Sequence, residues 1–242
     1  MNGRELPPTS AFAGDDGRAD PTLTAALAGV AGGTGRLVDV VRALAGARLL
    51  VPVVAHKEES AHVMDGDLSQ AEDSRGSAGI VAIRTPDGRT ALPVFSSVAT
   101  MSAWRADARP VPAEAPRAAL SAVEEGWEVM VLDPAGPVQV LIPRPAVWAL
   151  AQQREWVPAV VADGVDPSVA EAVAGALATI GEVVEVQVTA GGRAEVAVVL
   201  TLRAGLRQVE LDLVLERVGA AIAAQELISQ RVDSLELRLR SA

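Results

Sequence analysis

Residues 79–95, GIVAIRTPDGRTALPVF, decide how the first half of this 242-residue chain folds. Two strand-like runs, 80–84 and 90–95, flank the tetrapeptide Thr-Pro-Asp-Gly at 85–88. Proline and glycine stand in this tetrapeptide where a β-turn favours them. The stretch therefore predicts a β-hairpin.

A short helix and a second hairpin are expected after the first hairpin. Ser97 can cap a helix that runs through Trp104, because its hydroxyl can accept the free amides of the first turn. Arg109-Pro110 ends that segment. Hydrophobic spacing and turn residues then predict a helix over 115–125, strands over 128–132 and 138–142, and a helix over 145–152.

The residues before the first hairpin predict two helices and a strand. Asp20-Pro21 is an N-cap followed by proline at the first helical position. A glycine-rich break at 32–35 separates this helix from the second one. Residues 49–55 form a short apolar run typical of a central strand, although Pro52 favours a bulge or an edge position.

The chain divides into four segments by composition and periodicity. Valines at 184, 186 and 188 and leucines at 235, 237 and 239 alternate with polar residues, which is typical of half-buried strands. We expect an α+β fold with two small, mostly antiparallel sheets, each with helices packed on one side. The predicted segments are a flexible tail (1–19), an α+β domain (20–152), a linker (153–166) and a C-terminal helix–strand–strand–helix–strand domain (167–242).

Composition excludes several classes of protein. The net charge of −10 and the pI of about 4.7 argue against nucleic-acid binding, since no run rich in lysine and arginine is present. The absence of cysteine excludes disulfides and thiolate chemistry. Neither a signal peptide nor an apolar run long enough for a membrane span is visible, so a cytoplasmic protein without membrane contact is expected.

Three segments together resemble the SseB family, the enhanced-serine-sensitivity proteins. They are RTPDGRTALPVFSSVATMSAWRADARPVP at 84–112, VEEGWEVMVLDPAGP at 123–137 and RPAVWALAQQREWVP at 144–158. The similarity extends over roughly 20–158, and the remainder resembles the second half of longer members. The resemblance implies an α+β fold with no agreed enzymatic activity. Residues 64–79 depart from it, because they are more acidic and richer in serine than the family pattern.

Ser96 and Ser97 are the first residues to weigh as a site. A nucleophilic serine needs a base within hydrogen-bond reach and donors for the oxyanion. The histidines, His56 and His62, flank or lie in an acidic stretch, and the turn FSSVA lacks the glycines of a nucleophile elbow. We therefore expect no catalytic residue, and we interpret Ser97 as a helix cap.

Ligand binding at the turn that follows the first hairpin, residues 95–110 and called the corner below, is a separate hypothesis. Free amides at a helix N-terminus attract anions, and Trp104, Arg105 and Arg109 follow Ser96 and Ser97 closely. These five residues form the predicted ligand site, which would hold a small anionic ligand or the acidic tail of a partner protein. The alternative interpretation packs Trp104 against the hairpin and pairs Arg109 with a carboxylate.

No metal or cofactor is expected. The glycines at 29–36 lack the lysine of a P-loop and fit a turn between helices. The sequence DGDLS at 65–69 begins like a calcium loop but has neither glycine at its sixth position nor glutamate at its twelfth. It lies in the acidic segment 56–78, for which we expect a long surface loop. His56 and His62 lack a third ligand at metal-site spacing.

The sequence favours a non-catalytic binding or regulatory module of unknown ligand. Two other functions remain open. One is a hydrolase or transferase that acts on a small amino-acid-related substrate through Ser96 or Ser97. The other is a structural protein that forms a homodimer or larger assembly through the edge strand at 233–240.

Overall fold

The structure is a computed structural model, and it describes residues 12–54, 79–162 and 164–242. It confirms the α+β class. The helices are α1 (Pro21–Ala31), α2 (Leu37–Ala45), α3 (Val98–Trp104), α4 (Ala115–Glu124), α5 (Arg144–Ala151), α6 (Pro167–Leu177), α7 (Gln208–Ala223) and α8 (Glu226–Arg231). The strands are β1 (Arg48–Val53), β2 (Ile83–Arg84), β3 (Thr90–Val94), β4 (Arg109–Glu114), β5 (Val129–Leu132), β6 (Val140–Ile142), β7 (Val160–Val161), β8 (Gly164–Val165), β9 (Val183–Ala190), β10 (Val196–Leu202) and β11 (Leu235–Ser241).

The chain forms two compact units, Met1–Glu155 and Trp156–Ala242. The boundary falls within 153–166, the range expected to be a linker. Most of that range contributes to the second unit, because β7 and β8 form a small hairpin there and Ala159 is fully buried in its core. The acidic segment and most of the expected tail lie outside the described residues.

A mixed sheet of order β2-β3-β5-β6 organises the first unit. Both predicted hairpins are present, as antiparallel β2–β3 and β5–β6. The inner strands β3 and β5 are parallel, since the long connection through α3, β4 and α4 crosses back before β5 begins. The carboxyl ends of these two strands therefore meet at one edge of the sheet.

Strands β1 and β4 form a separate two-stranded antiparallel ribbon. Residues 49–55 are expected from the sequence to form a central strand or, because of Pro52, an edge strand or bulge; within its ribbon β1 pairs with β4 alone, which is the edge position. Pro52 lies opposite Pro110 in the ribbon, and neither residue has an amide to donate to a further strand. Isolated bridges from Leu50 to Phe95 and from Val53 to Ile80 attach the ribbon to the rest of the unit.

Side chains cap the N-termini of three helices. Asp20 accepts the amides of Thr22 and Leu23 at 2.7 and 3.1 Å. Ser97 and Asp166 cap α3 and α6 in the same manner. These bonds satisfy amides that the helix itself leaves free, which is why local sequence sets these starts.

The second unit is built on a three-stranded sheet of order β11-β10-β9. Strand β9 is antiparallel to β10, whereas β11 is parallel to it after the crossover through α7 and α8. Helix α8 is not predicted from the sequence. Buried residues on the helix-covered face of β10 pack with residues of α6 and α7: Val196, Val198, Leu200, Val169, Val173, Val214 and Val218.

Candidate functional site

The carboxyl ends of β3 and β5 bring Ser96 against Asp133. The amide of Ser96 donates to Oδ1 of Asp133 at 2.8 Å, and the Ser96 hydroxyl donates to Oδ2 at 2.7 Å. Both residues are buried, with exposures of 3 and 2%. Asp133 has a φ of +50°, a left-handed conformation that aspartate adopts more readily than most residues. Sequence reasoning missed Asp133 as a partner of Ser96.

Ser97 caps α3, as predicted. Its hydroxyl accepts the Thr100 amide at 3.1 Å, and the Thr100 hydroxyl donates to the Ser97 carbonyl at 3.0 Å. The Val98 amide donates to the carbonyl of Gly17 at 2.9 Å. The amides of Val98 and Thr100 in the first turn of α3 therefore already have protein acceptors.

Arg48 joins the expected tail to this corner. Its guanidinium donates to the Ser96 carbonyl at 3.1 Å and pairs with the Asp15 carboxylate at 2.8 Å. It also donates to the carbonyl of Arg18. Residues 12–19 therefore include contacts that hold them against the first unit. Arg48 carried no local motif, and only the fold identifies its role.

A cavity of about 270 Å³ lies between the β1–β4 ribbon, β3 and α4. Apolar side chains form most of its wall, and Arg117 and Ser121 supply the polar side chains. Both lie on α4, four residues apart, so they face the same side of the helix. The lining residues are Phe12, Val51, Val53, Ile80, Leu92, Val111, Pro112, Ala113, Arg117, Ala118 and Ser121.

The SseB protein N-terminal domain matches residues 23–149, which is more than half of the chain. The chain belongs to the SseB family. No curated protein and no solved structure matches it. The matched range includes the Ser96–Asp133 corner and most of the cavity lining, whereas the second unit lies beyond the SseB match.

The other predicted site residues of the SseB domain have different environments. Trp104 packs on Phe95, with ring centroids 5.2 Å apart, beside the buried Leu50 and Met101. The packing interpretation of Trp104 is confirmed. Arg105 donates to Asp107 at 3.0 Å, yet one of its terminal nitrogens is buried without a partner among the described residues.

Arg109 lies at the start of β4 and is exposed. It is directly opposite Val53 in the ribbon and shares a face with Val111 and Ala113, because side chains alternate along a strand. Within the described ranges, no ion pair joins it to a carboxylate. Arg109 therefore lies on the face of β4 that lines the cavity in the SseB domain. By contrast, the hydroxyl of Ser96 donates to Asp133 and that of Ser97 caps α3.

Acidic groups with shifted pKa values lie outside the cavity lining. Hydrogen bonds from Thr85 and Arg89 lower the pKa of Asp87 to about 2 in the first hairpin turn. In the second unit, burial raises the pKa of Glu195, which accepts the Asp233 amide at 2.7 Å. Perturbed groups often mark catalytic sites, but each of these belongs to a turn or a strand end.

Two further kinds of site concern the described parts of the chain, a cluster of metal ligands and a membrane-spanning helix. No three histidine, aspartate or glutamate side chains come together as metal ligands there. No described helix is both long enough and apolar enough to cross a bilayer. His56, His62 and the DGDLS segment lie outside the described residues.

Proposed function

We propose that this SseB-family chain is a non-catalytic binding module whose cavity holds a small, mainly apolar molecule with one anionic group. The observation that carries the proposal is the composition of the cavity wall, which is apolar except at Arg117 and Ser121. Small-molecule sites have this character, with a few polar groups that orient a largely apolar ligand. A volume of about 270 Å³ suits a ligand of modest size.

Arg117 supplies the anion-binding chemistry. A guanidinium can donate two parallel hydrogen bonds to a carboxylate or sulfonate. Arg117 is exposed, and Ser121 one turn later can add a hydroxyl on the same side of α4. Arg109 extends positive charge along the same face of the ribbon. A small anionic ligand therefore fits this site better than a strongly cationic one.

The hydroxyls of Ser96 and Ser97 favour binding over catalysis. A serine nucleophile must be free to approach a substrate and must transfer its proton to a base. The Ser96 hydroxyl is buried and donates to Asp133, and the Ser97 hydroxyl caps α3. The hydrolase or transferase alternative would require both of these arrangements to change before reaction.

The binding proposal is tested by titration with anilinonaphthalene sulfonate, an apolar anion whose fluorescence rises in apolar sites. We expect the folded wild-type chain to bind it, and Arg117→Ala to bind about tenfold more weakly because a charge-assisted bond is lost. Arg105→Ala is the matched control, because Arg105 belongs to the ligand site predicted from the sequence and does not line the cavity. Its affinity for the probe should be unchanged.

Two results would contradict the cavity as the binding site. The first is an unaltered affinity in Arg117→Ala at an unaltered melting temperature. The second is a loss of affinity in Arg105→Ala alone, which would assign binding to the corner formed by Trp104 and Arg105. Thermal unfolding of each variant must accompany the titration, because the probe also binds partly unfolded chains.

A further inference from the structure

Strand β11 leaves one edge of the second unit's sheet open among the described residues. It pairs with β10 along its whole length, without a bulge, and forms the end of the strand order β11-β10-β9. Its sequence, LELRLRS, contains no proline that would block a further partner. Leu237 and Leu239 are 40 and 44% exposed on the helix-covered face. Edges of this kind promote pairing with another strand.

The bonds to β10 determine which backbone groups of β11 point outward. The Val196 amide donates to the Ser234 carbonyl at 3.2 Å, and the Ala242 amide donates to the Leu202 carbonyl at 2.9 Å. In a parallel ladder, alternate residues make these bonds. The even-numbered residues of β11 therefore face β10, and Leu235, Leu237 and Leu239 direct their amides and carbonyls to the open edge.

The side chains of β11 are complementary to a second copy in one antiparallel register. When Leu237 lies opposite Leu237 of the second copy, Leu235 lies opposite Leu239 and Glu236 lies opposite Arg238. This register also pairs the outward amides and carbonyls of the three leucines with one another. Opposite charges on facing residues stabilise a strand pair, and like charges destabilise it.

Neighbouring registers lack this complementarity. A shift by two residues in one direction places Arg238 opposite Arg238 of the second copy. A shift by two in the other direction places Glu236 opposite Glu236. A shift by one residue joins outward backbone groups to inward ones, so the ladder cannot form.

We propose that two copies of this chain associate through β11, antiparallel about Leu237, so that three strands from each copy form one continuous sheet. The partner is a second copy because the self-complementary order Leu-Glu-Leu-Arg-Leu gives every facing position a matching residue. This inference goes beyond the proposed ligand site, which lies in the other unit.

Glu236 already pairs with Arg238 within one copy. Its carboxylate accepts the Gly192 amide at 2.9 Å and lies 2.6 Å from a terminal nitrogen of Arg238. The Gly192 bond is the main cause that lowers the pKa of Glu236 to about 2, so the carboxylate is charged at neutral pH. Arg238 remains about half exposed and can extend the pairing to the second copy.

Sedimentation velocity on the full chain, from about 1 to about 500 µM, tests the proposal. The wild-type mass should rise toward that of a dimer. Arg238→Glu places facing carboxylates at two positions, and Glu236→Arg places facing guanidiniums there, so each variant alone should remain monomeric. An equimolar mixture of the two should form a heterodimer, because every facing pair is again of opposite charge.

Arg240→Glu is the matched control on the same face of β11. In the proposed register it faces Ser234 of the second copy, so the dimer should persist. In the register shifted by two residues it would face Glu236, and the dimer would be lost. A wild-type chain that is monomeric at every concentration, a dimeric Arg238→Glu chain, or a monomeric mixture of the two charge variants would overturn the proposal.

Discussion

Asp133 is a buried carboxylate whose two oxygens both accept hydrogen bonds from Ser96. Removal of a donor to a buried carboxylate leaves an oxygen without its partner, and that costs more than an ordinary surface bond contributes. We expect Ser96→Ala to lower the free energy of unfolding of the first unit by about 1–3 kcal/mol. Urea unfolding followed by tryptophan fluorescence measures the change.

Ser97→Ala is the natural comparison for Ser96→Ala. It removes a helix cap at a half-buried position and should cost about 1 kcal/mol or less. An Ser96→Ala variant that is as stable as the wild type would contradict the structural role of the Ser96–Asp133 pair. It would also reopen the hypothesis of a reactive serine.

The two serines also show what the sequence predicts at the residue scale. Ser97 was assigned from sequence because its partner, Thr100, is three residues away and the bond is local. Ser96 and Asp133 are 37 residues apart and meet only because β3 and β5 are parallel neighbours. Local patterns do not specify which strands become neighbours, so the Ser96–Asp133 pair could not be predicted.

Helices with a capping residue were predictable at the scale of the element, whereas β4 was not. Pro110 and Pro112 both lie in β4, and proline in a sequence argues against a strand. The ribbon tolerates both prolines, because β4 forms backbone hydrogen bonds with a neighbouring strand, β1, on one side only. The cavity escaped prediction for the same reason, because three of its lining residues, Val111, Pro112 and Ala113, belong to β4.

Helix α8 ends on Arg231, which links it to the start of the second unit. Its guanidinium donates to the carbonyl of Pro158 at 2.9 Å and pairs with the Asp166 carboxylate at 3.1 Å. It also donates to the Ser168 hydroxyl at 2.8 Å. The Arg231 side chain is only 18% exposed. The arginine therefore joins three separate segments of the unit.

Arg231→Ala should destabilise the second unit by roughly 2 kcal/mol at neutral pH. The hydrogen bond from Arg231 is the main cause that lowers the pKa of Asp166 to about 2. A carboxyl group with a lowered folded-state pKa stabilises the fold above its unfolded pKa, near 3.8, and this stability is lost as the pH falls toward 2. The difference in free energy of unfolding between wild type and Arg231→Ala should therefore become smaller as the pH falls from about 3.8 toward 2.

Denaturant unfolding of both proteins at a series of pH values measures this gap. Glu236 also has a lowered pKa, but it contributes equally to both proteins and cancels in the difference. Glu195 has a raised pKa, so it titrates above the interval in which Asp166 does. A gap that stays constant from pH 4 to pH 2 would show that Arg231 stabilises the unit by packing and by its carbonyl bonds rather than through Asp166.

At the scale of the whole molecule, the second unit has a core of its own. The core residues of this unit, from Ala159 to Val232, come from β10, the three C-terminal helices and the segments around them. A segment of this size is near the lower limit for an independent fold, yet one continuous apolar core is the property that independent folding requires. We expect residues 156–242 to fold alone and to unfold cooperatively on heating.

Circular dichroism of that fragment provides the measurement. Its far-ultraviolet spectrum should show both helix and strand, and Val198→Ala should lower its melting temperature because Val198 is fully buried in the core. Leu213→Ala is the matched control: Leu213 lies on α7 but is 54% exposed, so its truncation should change the melting temperature little. A fragment that melts without a cooperative transition, or that responds equally to both substitutions, would show that this core does not suffice for folding.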